Sequence, residues 1–151
     1  MNHQQIEPFN IIGISVRTTN ENGQAVKDIP ALWNRFMSEG IANKIPNKTS
    51  ESIYCIYTEY EKDHTKPYTT IIGCRVDQVE NIPAGMVGET FAGGPYMQFM
   101  AKGNLMQGAV YNEWMKIWDA NLPRTFTADF EVYDEKAQNP EDAAVDIFIA
   151  I

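Results

Sequence analysis

The run "DFEVYDE" at residues 129–135 decides how this chain is read. It has β-strand character, with Phe130, Val132 and Tyr133 as its apolar members. Side chains alternate along a strand, so Phe130 and Val132 share one face while Glu131 and Tyr133 share the other. A carboxylate therefore sits between two large apolar neighbours. On an antiparallel sheet with one solvated face, such an acid simply points to water. On a face that closes a cleft, it is a partly desolvated charge that needs a partner. Both readings are open from these seven residues, and the surrounding chain has to separate them.

Outward from this strand the pattern is regular. "FTADFEVYDE" (126–135) reads as the full strand, "KAQNPEDA" (136–143) as a link and "AVDIFIAI" (144–151) as a last strand. Upstream, "LMQGAVYNEWMKIWDANL" (105–122) predicts a helix with Val110, Trp114, Ile117 and Trp118 on one stripe. "AGMVGETFAGG" (84–94) and "PYMQFMAKG" (95–103) read as strand material broken at Gly93–Gly94–Pro95.

The first half has the same order. "IEPFNIIGISVRTT" (6–19) reads as a long strand, broken by "NENGQ" (20–24). "DIPALWNRFMSEG" (28–40) predicts a helix with Asp28 as N-cap, Pro30 in the first turn and Gly40 at its end. "IANKIPNKTSE" (41–51) reads as a polar loop. "SIYCIYTEY" (52–60) and "YTTIIGCRVD" (68–77) read as strands joined by "EKDHTKP" (61–67).

The halves, about 6–77 and 82–151, align in order and spacing. "IPALWNRFM" lies over "VYNEWMKIW", which matches Trp33 to Trp114. "YCIY" lies over "FEVY", which matches Tyr57 to Tyr133 and Cys55 to Glu131. The expectation is a single α+β domain made of duplicated strand–helix–strand–strand units. It has an antiparallel-rich curved sheet, two main helices on one face and a central cleft between them.

Composition excludes several classes. At this length a chain buries about 68–70% of its unfolded surface, enough for a real core. Hydrophobic residues make up 44% and charged residues 21% of the sequence, as in ordinary globular proteins. No apolar run is long enough to span a membrane and no secretory signal is visible, so a cytoplasmic protein without membrane contact is expected. A formal charge of −8 disfavours direct nucleic-acid binding and mildly favours cationic ligands. Cys55 and Cys74 lie in predicted strands as buried reduced thiols, and His3 and His64 fall in a tail and a loop. No metal site can be assembled from them, and no nucleotide, metal or flavin cofactor is implied.

The run "IPAGMVGETFAGGPY", followed by "GAVYNEWMKIWDANL", "DFEVYDE" and the terminal "VDIFIAI", resembles the gyrase-inhibitor-like (GyrI-like) small-molecule-binding domain. That module is also the effector-binding domain of AraC-type and MerR-type multidrug-responsive regulators. The resemblance covers 82–151 best and 6–77 through element order. It implies a duplicated fold whose cleft takes bulky hydrophobic, often cationic molecules. Aromatic walls hold the apolar body, and a late-strand glutamate meets the charge. Glu131 matches that glutamate, Trp114 the helix aromatic, and Tyr96 the tyrosine after the paired glycines. No DNA-binding segment accompanies the module in this sequence, so a stand-alone effector-binding domain is expected.

The candidate ligand-binding set is therefore Glu131 as counter-ion, with Trp33, Tyr57, Tyr96, Trp114 and Tyr133 as walls. The bland alternatives are a solvent-facing Glu131, tryptophans that are only core, and a Tyr96 that merely closes a turn. Two other functions compete with binding. One is hydrolysis of strained, cyclopropane-type electrophiles by a tyrosine–glutamate pair. The other is a protein-interaction module whose acidic face engages a topoisomerase or a regulatory protein.

Overall fold

The computed structural model describes residues 2–151. Its strands are β1 (Asn2–Ile6), β2 (Phe9–Thr18), β3 (Ile53–Thr58), β4 (Tyr68–Val76), β5 (Val87–Phe91), β6 (Gly94–Gly103), β7 (Ala128–Tyr133) and β8 (Ala143–Ala150). Its helices are α1 (Gln24–Ser38), α2 (Ile41–Lys44) and α3 (Ala109–Asp119). All the strands join one antiparallel sheet in the order β1-β6-β8-β7-β3-β4-β2-β5. That order is symmetric about the β7–β3 pair when each strand is exchanged for its counterpart in the other half. It is the order that two strand–helix–strand–strand units give when they join through their third elements.

The β3–β7 ladder sets Cys55 opposite Glu131 and Ile56 opposite Phe130. Directly opposed residues point to the same face of a sheet. Cys55 packs beneath α1, and Glu131 meets Trp114 of α3, so both helices lie on one face. Leu32 and Phe36 of α1 pack on Ile12, Ile14, Ile72 and Cys74. Trp114 and Ile117 of α3 pack on Ala101, Val145, Ile147 and Ile149. The core on this side therefore splits into two clusters, one under each helix.

The helix-free face holds a third cluster of Phe9, Ile11, Ile56, Ile71, Phe91, Tyr96 and Phe130. The rings of Phe9 on β2 and Phe130 on β7 lie 5.1 Å apart, although β3 and β4 run between those strands. In a flat sheet the two strands would be roughly 14 Å apart. The sheet is thus strongly bent, with the helix-free face concave. The helices ride on the outside of the bend and diverge, which leaves a gap between them above the β3–β7 pair.

Several expected boundaries move. Helix α1 begins at Gln24, not at Asp28, because Asn22 and Gly23 take left-handed φ values of 55° and 70° and turn the chain straight into it. Asp28 is not an N-cap. Its carboxylate accepts from the Thr18 hydroxyl at 2.9 Å and from the Gln24 amide at 3.0 Å, tying the helix to the end of β2. Pro30 lies inside the helix and leaves the Val26 carbonyl without its usual donor. The expected loop 41–51 opens with the short helix α2. The expected N-terminal tail forms β1, an edge strand against β6, because Glu7–Pro8 separates it from β2. Gly13 and Gly73 face each other across β2 and β4, where a Cβ on Gly13 would stand 2.2 Å from the Ile72 carbonyl oxygen.

Candidate functional site

Between α1 and α3, above the central strands, lies an open hollow of about 530 Å³. That volume is in the range of small-molecule sites, which run from roughly 300 to 1,000 Å³. Trp33, Ile29 and Val26 come from α1, Trp114, Trp118, Val110 and Tyr111 from α3. Tyr57, Tyr68, Glu131 and Tyr133 rise from the sheet. Tyr60 and His64 come from the β3–β4 connection, and Arg124 from the segment before β7.

Glu131 lies at the floor and is only 1% exposed. Three donors hold its carboxylate. Tyr57 donates its hydroxyl to Oε2 at 2.7 Å, Trp114 donates its indole N–H to the same oxygen at 2.6 Å, and Tyr133 donates to Oε1 at 2.6 Å. Among the described residues no basic side chain pairs with it. Burial pushes its pKa above the ordinary carboxylate value, and the donors pull it part of the way back. Tyr57 and Tyr133 are pushed well upward, first by burial and then by neighbouring acidic groups, so both stay neutral donors. Cys55 is also pushed up by burial, and its thiol donates to the Tyr57 oxygen at 3.4 Å.

The aromatic walls are cross-braced. Trp33 meets Tyr133 edge to face at 4.8 Å, and Trp114 meets Tyr57 the same way at 5.4 Å. Each tryptophan thus packs on the tyrosine of the opposite half. Such pairs contribute about 0.5–1.5 kcal/mol beyond their area and fix ring orientation. The walls and the carboxylate are thus held in fixed orientations.

Five of the six sequence-nominated residues come together here: Glu131, Trp33, Tyr57, Trp114 and Tyr133. Tyr96 does not. It sits on the concave face against Phe130 and donates its hydroxyl to the Ala128 carbonyl at 2.9 Å. Alternation along β6 sends it to the side opposite Phe99 and Ala101, which lie under α3.

The sequence reading missed a second polar group beside Glu131. Asp129 is fully buried two residues before Glu131 on the same face. Its Oδ2 accepts from Arg124 at 2.8 Å and from Tyr60 at 2.6 Å, and its Oδ1 from the Ala150 amide at 2.8 Å. The Arg124 guanidinium lies 4.3 Å from the Phe126 ring centroid and 5.9 Å from that of Trp114. The His64 ring stacks on Trp118 at 5.6 Å. Period-two alternation would have placed Asp129 beside Glu131. His64 and Arg124 stand in irregular segments where periodicity says nothing.

The solved structure of VCH_CASS2, an integron cassette protein from the mobile metagenome of Vibrio cholerae, is 31% identical to this chain. It superposes with a TM-score of 0.77 over 99% of this chain and 94% of its own. SAV2435, solved with tetraphenylphosphonium bound, is 22% identical and shares the fold, with a TM-score of 0.78 over 98% of this chain and 91% of its own. The candidate transcriptional regulator YobU of Bacillus subtilis (strain 168) is 29% identical over 143 residues, 92% of this chain and 89% of that protein. Residues 4–151 match the family of integron-associated effector binding proteins typified by Cass2, and this protein belongs to that family.

Proposed function

We propose that this effector-binding protein takes bulky lipophilic cations into the hollow between α1 and α3. Glu131 serves as counter-ion, with Trp33, Tyr57, Trp114 and Tyr133 as walls. The observation that carries this reading is a buried, triply hydrogen-bonded carboxylate with no basic partner among the described residues, at the floor of an open aromatic hollow. A buried charge without a counter-charge is costly, and a cation bound beside it relieves that cost. At an effective dielectric near 20, two opposite charges about 4 Å apart attract by about 4 kcal/mol. Each ring face adds about 0.5–2 kcal/mol. Recognition by charge and apolar surface, without a dense hydrogen-bond pattern, gives broad selectivity.

The tetraphenylphosphonium complex of SAV2435 supports this choice of ligand class. The family of integron-associated effector binding proteins and the likeness to YobU support a role in sensing or sequestering such molecules and passing the signal to a regulatory partner. An open hollow favours ligand binding over the alternative of a closed protein-interaction module.

All three tryptophans of the chain line the hollow, so intrinsic fluorescence reports occupancy. Titration with tetraphenylphosphonium should change the emission saturably. A size-matched neutral tetraaryl compound should bind at least about tenfold more weakly, a difference of about 1.4 kcal/mol. Equal affinity for the neutral compound would reject the counter-ion reading.

A further inference from the structure

Glu131 explains recognition of a cation but not the donors that line the same hollow. The geometry points to a second pole at Arg124 and His64, and we propose that it selects cations carrying a neutral oxygen acceptor, such as a ketone or ester, at the end remote from the charge. This rests on the reading of the hollow given above.

The Arg124 side chain is only 5% exposed, and its Nε has no hydrogen-bond partner among the described residues. Its Nη1 approaches His64 Nδ1 at 3.5 Å. A guanidinium can only donate, so Nδ1 is the acceptor and the neutral imidazole carries its proton on Nε2. Among the described residues no partner is found for that Nε2–H. The ring cannot swing away freely. It stacks on Trp118 and Phe126, and its main-chain carbonyl accepts from the Asn20 amide at 2.9 Å.

Both residues line the same hollow as Glu131. The arginine charge is balanced by Asp129 at 2.8 Å, so this pole offers donors without opposing the pull of Glu131 on a cation. An acceptor placed here replaces water on the His64 Nε2–H, whereas a purely apolar tail strips that water and gives the donor nothing in return. A ligand of this shape has its orientation fixed, charge at Glu131 and oxygen at Arg124 and His64.

The test compares hexyltriphenylphosphonium with (5-oxohexyl)triphenylphosphonium, which share length and charge. The wild-type protein should bind the ketone about 3- to 10-fold more tightly, as a net hydrogen bond provides. A hollow with no donor at that end would prefer the hexyl chain. His64→Phe keeps the stack on Trp118, and Arg124→Lys keeps the pair with Asp129. In each variant the preference should fall below about twofold. Because the readout is a ratio within one protein, general weakening cancels. A wild-type ratio of one or less, or a full preference retained in both variants, overturns the second pole and leaves the Glu131 site standing. Failure of the hexyl compound itself to bind wild type overturns the reading of the hollow, and the second pole with it.

Discussion

Cys55 and Glu131 face each other across the ladder of the two central strands, directly beneath the gap between the helices. They occupy matching places in the two halves, so the symmetry of the sheet is broken chemically at its centre. Opposed Cβ atoms lie about 4.5–5.5 Å apart. Two carboxylates there could not both ionise without strong repulsion, and one would hold a proton at neutral pH. A single acid opposite a small neutral thiol puts no second carboxylate at this position.

Glu131→Gln removes that charge and keeps the shape. Affinity for tetraphenylphosphonium should fall by about 10- to 100-fold, since part of the lost attraction merely offsets desolvation. Neutral tetraaryl compounds should change by less than about threefold. Fluorescence titration of both ligands reads the difference, and equal losses would count against the counter-ion.

The raised pKa of Glu131 gives binding and stability opposite pH dependences. In the ligand-free protein the folded carboxyl keeps its proton at a pH where the unfolded chain has lost it. This residue's contribution to stability is therefore fully present below the unfolded value near 4.5 and falls as pH rises through the higher folded value. Cation affinity instead rises over the same window. Urea unfolding of wild type and Glu131→Gln from about pH 4 to pH 8 should differ by this declining slope. Parallel stability curves for the two proteins would be incompatible with it.

Trp114 and Trp33 hold matching positions but different roles. Trp114→Phe deletes a donor to a buried carboxylate and should cost about 1.5–3 kcal/mol of stability. It should also raise the Glu131 pKa further and move the onset of cation binding to higher pH. Trp33→Phe keeps an edge contact with Tyr133 and should cost less than about 1 kcal/mol. Denaturant midpoints and pH-dependent titrations of the two variants separate the roles.

Arg124→Met should destabilise the fold by about 3–5 kcal/mol, because it strands the buried Asp129 carboxylate. Arg124→Met combined with Asp129→Asn should recover part of that loss. Chemical denaturation of the single and double variants tests the coupling.

Gly73→Ala places a methyl 2.3 Å from the Ile12 carbonyl oxygen, and main chain cannot yield cheaply there. A loss above about 3 kcal/mol, or failure to fold, is expected. Thermal unfolding of Gly73→Ala beside the wild-type protein reads that loss.

Much of this was written in local pattern. Alternation in "FEVY" put Glu131 and Tyr133 on one face, and the match of Trp33 with Trp114 anticipated two helices carrying tryptophans toward a shared centre. The same alternation correctly handled would have included Asp129. Tyr96 was misplaced because its nomination rested on its position after Gly93–Gly94. A strand residue's face is set by register with its neighbours, and the register of β6 against β8 was not readable. The start of α1 shifted because left-handed turns at Asn22 and Gly23 obey no hydrophobic period.

The sequence by itself determined the order of the main elements, the faces of its central strands and the acid between Phe130 and Val132, because these follow from period-two and period-3.6 patterns within a few residues. Only the tertiary structure decided that the sheet bends, that the helices part, and that Arg124 and His64 reach the hollow from irregular segments. Those outcomes depend on contacts between residues far apart in the chain, such as Phe9 with Phe130 and Arg124 with His64, and no local pattern encodes them.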